Sequence, residues 1–213
     1  TIARWIRLGH TVRYVLLTKG DKRSQDESIK PQQVAEIRIR EQDAAAEELG
    51  VSSVEFFDYE DGCIVPDLEM RKNVVRAIRK YQPQILVTCD PGNLFPSQQY
   101  INHPDHRYAG QVVIDAVFPA VGNRLFFPEL LAERFLPFEV EEVWMSLTNE
   151  PDVKLDVTEF WGNKIKALKK HASQIGDPLD FERRMEDRLQ KDDNQAFTYE
   201  EQFRRIKFRR KIE

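Results

Sequence analysis

The chain has 213 residues, of which 41% are hydrophobic and 32% charged, with a formal net charge of -4. That balance describes a globular protein with a wet surface and enough apolar residues for one sizeable core, and it excludes a disordered or fibrous chain. The acidic balance also gives no general attraction to nucleic acid, although RRIKFRRK near the end is locally basic.

Along the chain, helical and extended segments alternate, and alternation of this kind predicts an α/β layer structure with a largely parallel sheet. Ile2, Trp5 and Ile6 recur at helical spacing, Gly9 supplies a left-handed cap, and Thr11 to Thr18 reads as a buried strand. A long helix is predicted from Pro31 to Leu49, ended by Gly50, followed by a short strand from Val54 to Asp58. Next come a helix over Leu68 to Tyr81 and, beyond Pro83, a strand over Ile85 to Thr88. A helix over Pro104 to Val117, a strand over Val140 to Ser146 and a helix over Val157 to Ser173 follow. The residues from about 177 to 213 alternate charge with isolated aromatics and are expected to form a charged helical extension on a single domain. This order opens on a helix, whereas a doubly wound sheet opens on a strand near its centre, so a first central strand is expected to be absent.

No apolar run approaches the roughly 18 residues of a membrane span, and TIARWIRLGH lacks the apolar centre and cleavage site of a signal peptide. A soluble, cytoplasmic protein is expected, with the start at Thr1 rather than Met leaving targeting open. Cys63 and Cys89 are too few for a disulfide framework and lack C-x-x-C spacing, which fits a reducing compartment. The glycines form no dinucleotide or P-loop pattern, and no G-x-S-x-G nucleophile elbow is present.

Ligands of open α/β sheets bind beyond the carboxyl ends of the strands, and acids gather there in this chain. The predicted strands lead into Asp21, into Asp58 to Gly62 with Asp61, and into Asp90-Pro91-Gly92 before a long loop to His103. Any one of these acids is also an ordinary turn residue; their shared location suits a metal or a polyol. In Asn102-His103-Pro104-Asp105-His106, Pro104 fits the first position of a helix and puts both histidines in its opening turn. The positive end of the helix dipole favours Asp105 there and helps keep His106 neutral, able to ligate a metal. A histidine pair at a helix start is a capping or surface feature about as often as a site. On the long helix, Arg38 and Glu41 fall inside the apolar stripe of Val34, Ile37, Ala45 and Leu49. A functional cleft and a merely solvated helix end explain that pair equally well.

These residues resemble the LmbE/PIG-L de-N-acetylases. The likeness rests on Thr1 to Asp21, on Arg38-x-x-Glu41 with Ala44-Ala45-Ala46 and Leu49-Gly50-Val51, and on His103-Pro104-Asp105-His106. Lys166-Ala167-Leu168 with His171, Ser173 and Gln174, and Glu201 with Phe203, extend it over nearly the whole chain. The resemblance implies a Rossmann-like three-layer sandwich with a catalytic Zn2+ held by two histidines and an aspartate. It implies His106 as a zinc ligand, His103 as the group that stabilises the oxyanion or protonates the leaving amine, and Asp105 as its orienting partner. It implies sugar contacts for Arg38 and Asp61, a supporting role for Glu41, a place near the site for His171, a small amino-sugar substrate and a homo-oligomer. Family members begin with a strand ending in A-H-P-D-D, which carries the other two ligands and the general base, and Thr1 falls just after it. The chain as written is therefore expected to be inactive, and its parent protein to hydrolyse the N-acetyl group of an N-acetylglucosamine-containing substrate. The contrasting expectations are a non-catalytic binding or scaffold domain that keeps the fold, and a nucleic-acid module using the basic tail.

Overall fold

A computed structural model describes residues 1–22, 24, 28–186, 190, 191 and 197–208. In chain order the elements are α1 (Ile2–Arg7), β1 (Arg13–Thr18), α2 (Pro31–Leu49), β2 (Ser53–Tyr59), α3 (Leu68–Tyr81), β3 (Ile85–Cys89) and α4 (Pro104–Asp115). After a kinked segment over Ala116–Val121 come α5 (Glu129–Ala132), β4 (Glu142–Ser146) and β5 (Val153–Asp156). A 3-10 turn over Thr158–Phe160 then precedes α6 (Trp161–Lys169), α7 (Ala172–Ile175), α8 (Pro178–Glu186), β6 (Gln190–Lys191), β7 (Phe197–Thr198) and β8 (Glu200–Lys207). The fold is mixed α/β, and its residues cluster into two compact units, Thr1–Asp61 with Lys154–Glu201 and Gly62–Val153 with Gln202–Glu213.

In the first unit β1 and β2 pair in parallel, with Arg13 opposite Ser53 and Leu16 opposite Phe56. The crossover is α2, started by Pro31 in its first turn and stopped by Gly50 at φ 82°. The positive φ is what calls for glycine at Gly50, and α1 packs closely over it, a β-carbon there standing 3.3 Å from Ile6 Cγ2. The expected helix over Val157 to Ser173 is broken into pieces. Asp156 Oδ1 accepts the Thr158 amide at 2.9 Å to start a new turn, and His171, at φ -82° and ψ 51°, interrupts the helix between α6 and α7.

In the second unit β3 and β4 are parallel over their whole length, and β4 pairs antiparallel with β8 from Glu142 opposite Lys207 to Met145 opposite Arg204. Within this unit the strands follow in the order β3-β4-β8. The residues from 200 to 207 thus correct the expectation of a helical tail; of the extension, only α8 is an α-helix among the described residues. Cross-strand contacts explain the outcome: buried Phe203 meets Trp144 with ring centroids 5.4 Å apart, and Arg205 and Lys207 face Glu142. Part of the basic tail, residues 209–213, lies outside the described residues. Among the described residues no strand pairs with the second edge of β1 or of β3. Val15 and Val87, at the middle of these strands, are 37% and 41% exposed, unusual for parallel strands, and each open edge is a row of backbone groups that another strand could satisfy.

The core of the second unit includes Met70, Val74, Val75 and Ile78 of α3, Val112 of α4 and Val143 to Met145 of β4. Arg79 is only 2% exposed within it, and its guanidinium is answered by the carbonyls of Ala120, Val121, Asn123 and Phe126. This one cation therefore organises the chain that leaves α4.

Candidate active site

The sequence-predicted residues fall into two groups, each within one unit. In the second unit, α4 starts at Pro104, and His103 caps it: its Nδ1 accepts the Asp105 amide at 3.2 Å. A ring nitrogen that accepts cannot carry the proton of the neutral ring, so this bond places that proton on Nε2. The carbonyl of His103 also accepts the His106 amide at 3.1 Å, closing the turn that carries both rings. The His103 and His106 centroids are 5.6 Å apart with the planes tilted by 47°, and both residues are exposed.

Asp105 faces the other way. It is 6% exposed, and its Oδ2 accepts the Gly62 amide at 2.7 Å. Its Oδ1 is buried with no hydrogen-bond partner among the described residues, an arrangement that costs about 1 to 3 kcal/mol or more unless a donor arrives. The contact between Asp105 and His103 is made by the Asp105 backbone amide, and the carboxylate serves the Gly62 turn.

Two features that the sequence reading missed hold this turn in place. Gly110 lies where α4 crosses the end of β3, and a β-carbon there would stand 2.2 Å from the Cys89 carbonyl oxygen. Only glycine lets the helix come this near, which sets where its first turn ends up. The loop leading to His103 is tied from inside by asparagines. Asn93 donates to the Leu147 carbonyl and accepts from Asn149 Nδ2 at 2.8 Å. Asn102, fully buried, donates its side-chain amide to the Asn93 carbonyl at 2.9 Å and its backbone amide to the Leu94 carbonyl at 2.9 Å. Asparagine next to a helix-starting His-Pro was visible as a signal, but its partners eight and nine positions away were not.

In the first unit Arg38 is 9% exposed on α2. Its Nη1 donates to Ser173 Oγ at 2.8 Å and stands 3.5 Å from Glu41 Oε2. Glu41 in turn accepts the Ser173 amide at 2.6 Å and the Ser173 hydroxyl at 2.7 Å. The Arg38 and Glu41 pair therefore forms a buried network rather than a solvated helix end. His171 lies two residues before Ser173, and burial lowers its pKa, with Glu41 raising and Arg38 lowering it as smaller effects. Asp61 is half-buried at the end of the unit, accepting from Thr18 Oγ1 at 3.4 Å and from the Lys22 amide at 3.3 Å. A cavity of about 280 Å³ in this unit is lined by His171 together with Tyr14, Leu49, Phe160 and Lys164, and not by Arg38, Glu41 or Asp61.

Among the described residues no group of three or more His, Cys, Asp or Glu side chains is placed to hold a metal ion. His106 alone is too few donors for zinc, which takes three or four ligands. The described residues thus do not complete the ligand set that the resemblance implies.

The histidine turn stands at the start of the helix that follows a parallel strand of a mixed α/β fold, beyond the strand end where such sheets bind their ligands. Residues 1–117 match the GlcNAc-PI de-N-acetylase family, PIG-L, and the chain belongs to that PIG-L/LmbE family. It is 32% identical to diacetylchitobiose deacetylase of Thermococcus kodakarensis over 176 residues, covering 82% of this chain and 63% of the relative. The chain therefore spans somewhat less than two thirds of that relative's length. The fold is similar to that of N,N'-diacetylchitobiose deacetylase from Pyrococcus horikoshii, solved with an inhibitor, at a TM-score of 0.85 and 27% identity, covering 97% of this chain and 76% of that one. The 4-carboxy-2-hydroxymuconate hydratase GalB from Pseudomonas putida shares the fold at a TM-score of 0.75 and 22% identity, covering 100% of this chain and 90% of that one. No helix among the described residues is long and apolar enough to cross a membrane.

Proposed function

We propose that the protein of which this chain is part hydrolyses the N-acetyl group of an N-acetylglucosamine-containing sugar, releasing acetate and a free amine. Membership of the family, together with the deacetylase relatives, supports the reaction class. The observation that carries it to residues is the His103 hydrogen bond, which leaves an N–H on Nε2 of an exposed ring. That N–H is suited to donate to the amide oxygen as it gains charge in the tetrahedral intermediate. Asp105 supports this role by holding the turn through Gly62 and lending its backbone amide to Nδ1, while Arg38 and Asp61 are assigned to sugar hydroxyls, Glu41 to the support of Arg38, and His171 to the surroundings of that contact.

Zinc is the proposed cofactor and His106 one of its ligands, the remaining donors coming from beyond the described residues; bound there, zinc would polarise the amide and acidify a water. The proposed setting is the cytoplasm, without nucleic acid as a partner and with assembly into a homo-oligomer. The test is incubation of the full-length, zinc-loaded protein with N,N'-diacetylchitobiose, reading free primary amine and acetate. Stoichiometric release of both supports the reading; neither product, with zinc bound, moves the protein to a non-catalytic scaffold.

A further inference from the structure

The Ser173 hydroxyl stands between two charged side chains, and its direction is dictated by chemistry. Arg38 can only donate and an ionised Glu41 can only accept, so the oxygen of Ser173 takes the Arg38 Nη1 hydrogen and its own hydrogen goes to Glu41 Oε2. The Ser173 amide holds the other carboxylate oxygen, so both oxygens of Glu41 end on one residue. These bonds join residues 132 and 135 positions apart, tying α7 to α2. Ser173 is itself exposed, so it adds little to the core.

We infer that Ser173 is a positioning residue, which sets the direction of the Arg38 guanidinium for the sugar and holds the Glu41 carboxylate against it. The inference deepens the proposed function and rests on Arg38 being a sugar contact. An arginine on a buried helix face reaches its site along a flexible stem, and a tether at one terminal nitrogen removes much of that freedom before substrate arrives. Because the tether acts on binding before and during the reaction alike, its loss is expected in KM more than in kcat.

The experiment is steady-state hydrolysis of N,N'-diacetylchitobiose by the full-length protein and its Ser173→Ala, Ser173→Thr and Arg38→Ala variants, with zinc content measured throughout. Ser173→Ala should raise KM about tenfold, the loss of one hydrogen bond to a charged group, and leave kcat within about twofold. Ser173→Thr, which keeps the hydroxyl and the amide, should return KM toward the wild-type value. If Ser173→Ala does not fold, Ser173→Cys, close in volume and weak as a donor, carries the same readout. Arg38→Ala raising KM while Ser173→Ala leaves it unchanged overturns the inference about Ser173. Arg38→Ala leaving KM unchanged overturns the sugar contact on which it rests. A fall in kcat alone, not rescued by Thr, also overturns the positioning role.

Discussion

The two groups of polar residues are built in opposite ways. The His103 turn displays exposed rings on a rigid support, with Gly110 against β3 and buried asparagines behind the loop. The Arg38 network hides its charges in α2 and satisfies them with Ser173. The difference teaches that a residue's chemistry and its support are separable: reactive groups need exposure, whereas a side chain that must point accurately needs partners. Substitutions in the two groups should therefore fail differently, in turnover for one and in stability or binding for the other.

The largest effect is expected at the displayed group. His103→Ala should lower kcat of the full-length protein by about 100-fold to 1,000-fold, the range of a lost oxyanion donor, with little change in the thermal midpoint. Equal losses in both would erase the contrast. Glu41→Ala comes next, leaving a largely buried guanidinium without its carboxylate, and should cost on the order of 3 kcal/mol in denaturant unfolding. Gly110→Ala drives a β-carbon into the Cys89 carbonyl and should cost about 1 to 3 kcal/mol, with the His103 and His106 side-chain NMR signals shifting as α4 moves away.

The smallest effect concerns His171, whose folded-state pKa is pushed below its ordinary 6.5 by burial. The unfolded chain then binds the proton first, so stability is full above pH 6.5 and falls as pH drops from there through the depressed folded value. Unfolding in urea at about pH 7.5 and about pH 5.5 should show this fall, and His171→Gln should flatten it.

Much of the fold was legible because β1 to β4 are short apolar runs between turn residues, and α2 to α4 carry apolar residues at helical spacing. β8 was hidden because Phe203 and Ile206 sit among charges, and only pairing with β4 makes a strand of them. β5, four residues with alternate exposure, carries too little pattern to stand out. At the histidine turn, Pro104 made the helix start readable from local chemistry. The supports were not readable: Gly110 depends on a strand 21 positions earlier, and Ser173 on a helix more than 130 positions away. Local rules recover residues whose partners are neighbours in sequence, and these partners are not.

The central proposal is that the exposed histidine turn divides its labour, His106 holding metal and His103 donating to the oxyanion. The most direct measurement is zinc stoichiometry together with acetate release for the full-length protein and its His103→Ala and His106→Ala variants. The account predicts zinc retained and turnover lost in His103→Ala, and both lost in His106→Ala. Full zinc in His106→Ala, or undiminished acetate release by His103→Ala, would contradict it.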